Sequence, residues 1–390
     1  MTDNNIPKIR ILLVQGAAQL INGISVLKYL NNKQSNGEIF EDILVISDVS
    51  DELRGGQSHK GVIEELLQTY KWKQVFFLDT VKLCSHFQGD LLLLSRQLKS
   101  IINTSGVSDL IFSRYTLNNV ARALAILYPL ANRTGVGDSF GLIGDTEIHS
   151  LRVLSFNRML KRSLRSLRDF ISRARYLKLF RFDIFVLTIP VYLKETFKGG
   201  DRVEVPERCF LLDTVQGASD ISKSLNLYTD DLLKKFKGKS LGLVLLSNFY
   251  LSGMCEKERE IEMYRKIILN LIQEVDLLIV KPHPRSDKDM LRVIADEFDS
   301  RVHVMEEKTW SYPVEIMRNL ILEAKVYTVY STAPISIKYL YNIDAAFVLD
   351  SVMAKAFLQS NAAKYVIWIN TKISDLVYHP RPHKGSDYVR

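Results

Sequence analysis

Short apolar runs alternate with longer stretches of helical periodicity along most of this 390-residue chain. In the first half the runs fall at Ile9–Gln15, Asp42–Ser47, Gln74–Leu78, Asp109–Phe112 and Phe182–Thr188. Helical spacing covers Gln19–Leu30, Gly61–Tyr70, Asp90–Ile102 and Leu117–Leu130 between them. The second half restarts the alternation, with strands expected at Leu241–Ser247, Leu277–Lys281, Val302–Met305, Val326–Tyr330 and Ala346–Leu349. Its helices are expected at Lys257–Gln273, Pro313–Ala324 and Ile335–Tyr341. Strand and helix in alternation predict βαβ units and parallel sheets.

The length exceeds what one hydrophobic core usually supports, so two domains are expected. Residues 1–200 and 240–390 would form them, joined by a stretch over 201–239 that is richer in turn-forming and charged residues. Two Rossmann-like halves facing across a cleft, the GT-B arrangement, fit this α/β pattern. Two unrelated α/β domains would give the same pattern.

An apolar fraction of 47% is that of a chain with real cores. No run of eighteen apolar residues could cross a membrane, and Met1–Arg10 lacks the apolar stretch of a secretion signal. Cys84, Cys209 and Cys255 lie far apart without a CxxC pair, as expected of reduced thiols in the cytoplasm. The net charge of +8 is concentrated. Between Arg152 and Arg181 stand ten Lys or Arg and one acid, Asp169, so the rest of the chain is close to neutral. There Leu160, Leu164, Leu167 and Ile171 form an apolar stripe crowded by arginines, which suits an anionic acceptor, an anionic membrane surface or nucleic acid. No nucleic-acid-binding motif accompanies it, which argues against the last.

Lys281-Pro282-His283-Pro284-Arg285 directly follows the apolar run Leu277–Val280. It would therefore stand at the carboxyl end of a strand, where open α/β sheets bind ligands. Two prolines stiffen the turn, and two cations flank an imidazole, a composition suited to phosphate or carboxylate. Ser331 and Thr332 follow a second strand and precede Pro334, so their hydroxyls would lie at a helix N-terminus, either as an anion site or as a plain cap. Glu315 opens another helix, and it either answers the helix dipole or accepts ribose hydroxyls. In the first half Asp138 sits in a glycine-rich loop, Gly135–Gly141, as a general base or as the closer of its own turn. Gln19 and Asn22 follow the first strand without a GxGxxG fingerprint. A P-loop, HExxH, paired CxxC and GxSxG are all absent.

Together these segments resemble the bacterial alpha-2,8-polysialyltransferases and the related lipooligosaccharide sialyltransferases. The likeness rests on KPHPR, then Pro313-Val314-Glu315, then Ser331-Thr332, in that family's order and at similar spacing. The turn with Gln19, Leu20 and Asn22 is similar to a Gln-Leu-x-Asn turn of the family. Where the family has two adjacent acids before a glycine, this chain has Asp138-Ser139-Phe140-Gly141. The resemblance implies a GT-B fold, CMP-sialic acid or a related CMP-sugar as donor, a glycan acceptor, and inversion without metal or cofactor. It assigns Asp138 as general base and His283 as the group that protonates or hydrogen-bonds the leaving CMP phosphate. Lys281, Pro284, Arg285, Ser331 and Thr332 would surround that phosphate, Glu315 the ribose, and Gln19 and Asn22 the acceptor side. It further implies an enzyme of surface-polysaccharide or lipooligosaccharide synthesis; the thiols point to the cytoplasm, and the charge of Arg152–Arg181 to a peripheral place at the inner membrane. A transferase using another sugar nucleotide, or a protein that binds nucleotide or glycan without turnover, would carry many of the same residues.

Overall fold

A computed structural model describes residues 7–33, 38–47, 60–85, 90–113, 119–138, 182–190 and 202–378. The chain divides into two units, one of residues 1–50 and 70–211, the other of residues 51–69 and 212–390. The polypeptide thus leaves the first unit after residue 50, contributes a short segment to the second, and returns.

The first unit holds seven strands: β1 Lys8–Val14, β2 Phe40–Ser47, β3 Gln74–Leu78, β4 Val107–Phe112, β5 Asn132–Asp138, β6 Ile184–Ile189 and β7 Val203–Glu204. They form one sheet in the order β3-β2-β1-β4-β5-β6-β7, with every neighbouring pair parallel. Helices α1 Ala17–Lys33, α3 Thr80–Ser85, α4 Leu91–Ile102 and α5 Asn119–Leu127 connect them, while α2 Lys60–Leu66 belongs to the second unit. The chain steps outward from β1 to β3 and then returns to the other side of β1, so the winding reverses between β1 and β4. Ile11, Leu13, Val45, Leu110 and Phe112 pack with Leu98, Val120 and Leu124 into one core.

Inside that sheet lies a buried ion pair. Arg10 on β1 is 1% exposed, and its Nε and Nη2 donate to the two carboxylate oxygens of Asp42 on β2 at 2.6 and 2.8 Å. Asn31 Oδ1 accepts from the same Nη2 at 2.6 Å, the Tyr70 hydroxyl donates to Asp42 at 2.5 Å, and the guanidinium lies 4.5 Å from the Phe40 ring centre. Arg10 and Asp42 stand early in their strands, at the end of the sheet opposite to where ligands bind in such folds.

The second unit holds β8 Leu241–Leu245, β9 Leu277–Lys281, β10 Val302–Val304, β11 Ala324–Thr328 and β12 Ala345–Phe347. Their order is β10-β9-β8-β11-β12, again all parallel, with the winding reversed between β8 and β11. All five positions of β8 and of β9 are buried, which explains why both read as unbroken apolar runs: a central parallel strand is covered on both faces. Helices α6 Arg208–Ile221, α7 Lys223–Lys235, α8 Lys257–Leu271, α9 Lys288–Glu297, α10 Arg318–Glu323, α11 Ala333–Tyr341, α12 Ser351–Phe357 and α13 Ser360–Tyr378 complete the described chain. No helix among the described residues is long and apolar enough to cross a membrane.

Three regions differ from the sequence reading. The stretch over 201–239, rich in charge and turn residues, is largely the helices α6 and α7. Gly135, Val136, Gly137 and Asp138, expected as a loop, lie in β5. Glycine in a strand marks a close approach: a Cβ on Gly135 would stand 2.7 Å from the Phe185 ring of β6. At Gly137 the backbone takes φ +154°, and the β5–β6 register shifts between Gly137 and Asp138. The helix expected over Pro313–Ala324 is broken into a 3₁₀ turn, Val314–Ile316, and α10, because Met317 leaves helical geometry at ψ 46°. The Glu315 carbonyl there accepts the Tyr341 hydroxyl at 2.5 Å.

Candidate active site

The carboxyl end of β9 carries the Lys281–Ser286 turn. The strand hydrogen bonding runs to its last residue, where the Lys281 carbonyl accepts from Leu246 N at 3.0 Å. The Lys281 side chain is 7% exposed, and its Nζ donates to the Trp310 carbonyl at 3.1 Å. Burial pulls its pKa down to about 8, with Glu315 acting in the opposite direction. Pro282 is buried, while His283 and Pro284 are half-buried. His283 Nδ1 accepts the backbone N–H of Arg285 at 3.0 Å, and the His283 carbonyl accepts from Ser286 N at 2.9 Å. A ring that accepts at Nδ1 carries its proton at Nε2, so the turn itself selects the tautomer. Arg285 is exposed.

The carboxyl end of β11 leads through Val329 and Tyr330 to Ser331 and Thr332. Ser331 Oγ accepts from Ala333 N at 3.1 Å, so this hydroxyl closes the first turn of α11. Thr332 holds the N-cap position with no side-chain capping bond, and Pro334 occupies the first turn. Thr332 is exposed and Ser331 half-buried. Glu315, from the preceding βα connection, receives the Ser336 hydroxyl of α11 at 2.5 Å. Lys281 thus ties the end of β9 to Trp310, in the segment that precedes the Glu315 turn, and Glu315 ties that turn to Ser336 of α11.

Between β9 and β11 lies β8, and its following loop is the part that sequence reasoning missed. The Ser247 hydroxyl donates to the Tyr330 carbonyl. Asn248 Nδ2 donates to the Arg285 carbonyl at 3.0 Å, and its Oδ1 accepts from Leu251 N at 3.2 Å. The two carboxylate oxygens of Glu260, 1% exposed on α8, accept from Phe249 N at 3.0 Å and Tyr250 N at 2.7 Å. A Ser-Asn pair directly after an apolar run was the available signal. Cys255 in this loop is no nucleophile at neutral pH, since burial and then Glu260 push its thiol up to about 12.

In the first unit Gln19 Oε1 accepts from Gln15 N at 2.7 Å, closing the turn from β1 into α1. Asn22 bonds back to the Ala18 carbonyl at 2.9 Å, and its Oδ1 receives the buried Thr188 hydroxyl of β6 at 2.5 Å. Asp138 ends β5, which places its backbone at the carboxyl edge of this sheet. The Asp138 side chain, Ser139–Gly141 and the basic stretch Arg152–Arg181 lie outside the described residues. Among the described residues no three His, Cys, Asp or Glu are grouped as metal ligands.

Two Rossmann-like sheets with polar turns at their carboxyl ends define a protein of the GT-B class. In solved structures the same fold recurs in the UDP-GlcNAc 2-epimerase of Methanocaldococcus jannaschii in complex with UDP-GlcNAc and UDP, with TM-score 0.51, 11% identity, and 94% of this chain and 92% of that chain covered. A putative UDP-N-acetylglucosamine 2-epimerase of Listeria monocytogenes gives TM-score 0.51 at 13% identity, covering 95% and 89%. At such identities the likeness concerns the fold. No curated protein matches the sequence significantly. Residues 19–350 match the alpha-2,8-polysialyltransferase family, and the chain belongs to it. It is thus a glycosyltransferase of the sialyltransferase type.

Proposed function

We propose that this enzyme transfers sialic acid, or a related acidic sugar, from a CMP-sugar to a glycan acceptor, inverting the anomeric carbon without a metal ion. The observation that carries the reading is the β9 turn: an imidazole whose Nδ1 accepts the Arg285 amide, leaving the proton at Nε2, with exposed Arg285 two residues after it and buried Lys281 two residues before it. CMP leaves with a single phosphate. An imidazole N–H, a guanidinium and hydroxyls can meet its charge, provided that they are already in place as the bond breaks.

In this reaction Asp138 of the first unit takes the proton of the acceptor hydroxyl. The acceptor oxygen bonds to the anomeric carbon as the bond from that carbon to the phosphate oxygen breaks. The electron pair departs with CMP, where His283 Nε2–H donates to the phosphate oxygen or protonates it. Arg285, Ser331 and Thr332 hold the same phosphate, with Pro284 shaping the turn, and Glu315 accepts the ribose hydroxyls. Lys281, buried at the end of β9, contributes its charge. Gln19 and Asn22 shape the acceptor side.

Thermal unfolding with added nucleotide tests the donor. CMP raises the wild-type midpoint, UDP does so less, and His283→Ala abolishes the CMP effect. Unchanged stabilisation of His283→Ala by CMP removes the phosphate assignment, and a preference for UDP removes the CMP-sugar. The density of positive charge in Arg152–Arg181 supports a further part of the reading: the enzyme works at the cytoplasmic face of the inner membrane, on acceptors of surface-polysaccharide or lipooligosaccharide synthesis. Liposomes rich in anionic lipid bind the protein at low salt and release it at high salt. Absence of binding at low salt rules that location out.

A further inference from the structure

The loop after β8 occupies the middle of the proposed phosphate site without offering it an obvious ligand. Strand order places it between the β9 turn and the β11 exit. Its two polar side chains reach sideways, Ser247 to the Tyr330 carbonyl and Asn248 to the Arg285 carbonyl. Tyr330 immediately precedes Ser331, and Arg285 carries both the amide that orients His283 and a guanidinium. Each clamp therefore grips one of the two segments a phosphate would have to span.

The loop is itself tied down from behind. Glu260, in the first turn of α8, receives Phe249 N and Tyr250 N, and the Tyr264 hydroxyl one turn further along donates to the Ser247 carbonyl at 2.7 Å. Phe249 is fully buried, and Met254 N returns to its carbonyl at 2.8 Å. A carboxylate at 1% exposure is costly to keep, and burial pushes this one's pKa up even as the two amides hold it down. An apolar contact would fill the space at lower cost. A carboxylate that captures two consecutive backbone amides does something else: it fixes the direction of the loop.

We propose that the Ser247–Tyr250 loop is the spacer of the phosphate site, with Asn248 and Glu260 as positioning residues that set the separation between the His283–Arg285 turn and Ser331–Thr332. The proposal rests on the CMP-phosphate reading above. Neither residue touches the donor; each acts through the groups that do. The expected signature is selective: loosening the loop weakens recognition of the phosphate and leaves recognition of the nucleoside nearly intact.

Calorimetric titration of CMP and of cytidine into the full-length protein tests this, comparing wild type with Asn248→Ser and Glu260→Gln. A serine hydroxyl can still cap Leu251 N but is too short to reach Arg285, so Asn248→Ser removes one clamp from a half-exposed position. Both variants are expected to bind CMP about tenfold more weakly and cytidine within about twofold of wild type, the effect of one misaligned set of charged hydrogen bonds. A CMP-sugar KM that rises more than kcat falls is the kinetic counterpart. An unchanged CMP-to-cytidine ratio in Asn248→Ser overturns the spacer, as does an equal loss of both ligands. This remains decisive if Glu260→Gln does not fold. A wild-type protein that binds no CMP overturns the donor reading and the spacer together.

Discussion

Among the described residues, two cations are buried in the two sheets, and they are treated in opposite ways. Arg10, in β1, has a carboxylate across its Nε and Nη2, an amide oxygen on the same Nη2 and an aromatic face, while its Nη1 is buried without a hydrogen-bond partner. Lys281, at the end of β9, has one carbonyl oxygen and the field of Glu315. Both are almost sealed from water, so both incur desolvation, but only Arg10 meets a partner charge at hydrogen-bond distance. A buried charge held against an opposite charge organises a fold; one buried without such a partner points to a function. Position agrees, because Arg10 stands at the amino end of its sheet and Lys281 at the carboxyl end, where ligands bind.

Removing one member of the compensated pair should have the largest effect. Asp42→Ala leaves Arg10 buried without its counter-charge and the Tyr70 hydroxyl without its acceptor. A loss of about 3–5 kcal/mol in urea unfolding is expected. If the variant loses less than about 1 kcal/mol, water reaches the guanidinium and the contrast between the two cations collapses.

Lys281 gives the opposite sign. A lysine held at about 8 instead of 10.5 is disfavoured as a cation in the folded state by on the order of 3 kcal/mol. Below pH 8 both folded and unfolded chains keep the proton, and the full penalty applies. Between about 8 and 10.5 the unfolded chain binds the proton and the folded one does not, so stability recovers as pH rises. Lys281→Met is therefore expected to be as stable as wild type or more so at pH 7, with the difference shrinking toward pH 10.5. A variant less stable than wild type by 2 kcal/mol at pH 7 would show that the bond to Trp310 outweighs the desolvation.

The same substitution separates stability from binding. The proposed anion site loses its underlying charge, so CMP affinity in Lys281→Met falls about tenfold even where the fold gains. In wild type, CMP affinity is expected to decline as pH rises through about 8, when Lys281 gives up its proton. A pH profile shared by Lys281→Met would assign the decline to another group.

How much of this was legible in the sequence follows from which interactions are local. β9 was readable to the residue because a strand covered on both faces is apolar throughout, and the polar turn after it stands out. The place of KPHPR at the carboxyl end of β9 was readable for the same reason, but the direction in which Lys281 points was not. That depends on Trp310, which is distant in sequence and arrives through the β10 connection. β5 was hidden because its glycines answer to Phe185 on a neighbouring strand, and a glycine required by packing looks like a loop glycine. The spacer loop was hidden because Glu260 looks like an ordinary acid in the first turn of α8. Arg10 and Asp42 look like surface charges until β1 and β2 pair and bring them together.

The finest test of the contrast concerns Tyr70. Its hydroxyl donates to Asp42 at 2.5 Å and accepts from Asn31 at 3.0 Å, and burial, followed by the charge of Asp42, pushes its pKa up. Tyr70→Phe keeps the ring against Trp72 and removes only these two bonds. Asp42 retains Arg10, so no charge is left unpaired, and the loss should be only about 1 kcal/mol in urea unfolding. If the loss approaches that of Asp42→Ala, the hydroxyl, not the guanidinium, is what keeps the carboxylate satisfied, and the Arg10 pair is no more complete than Lys281.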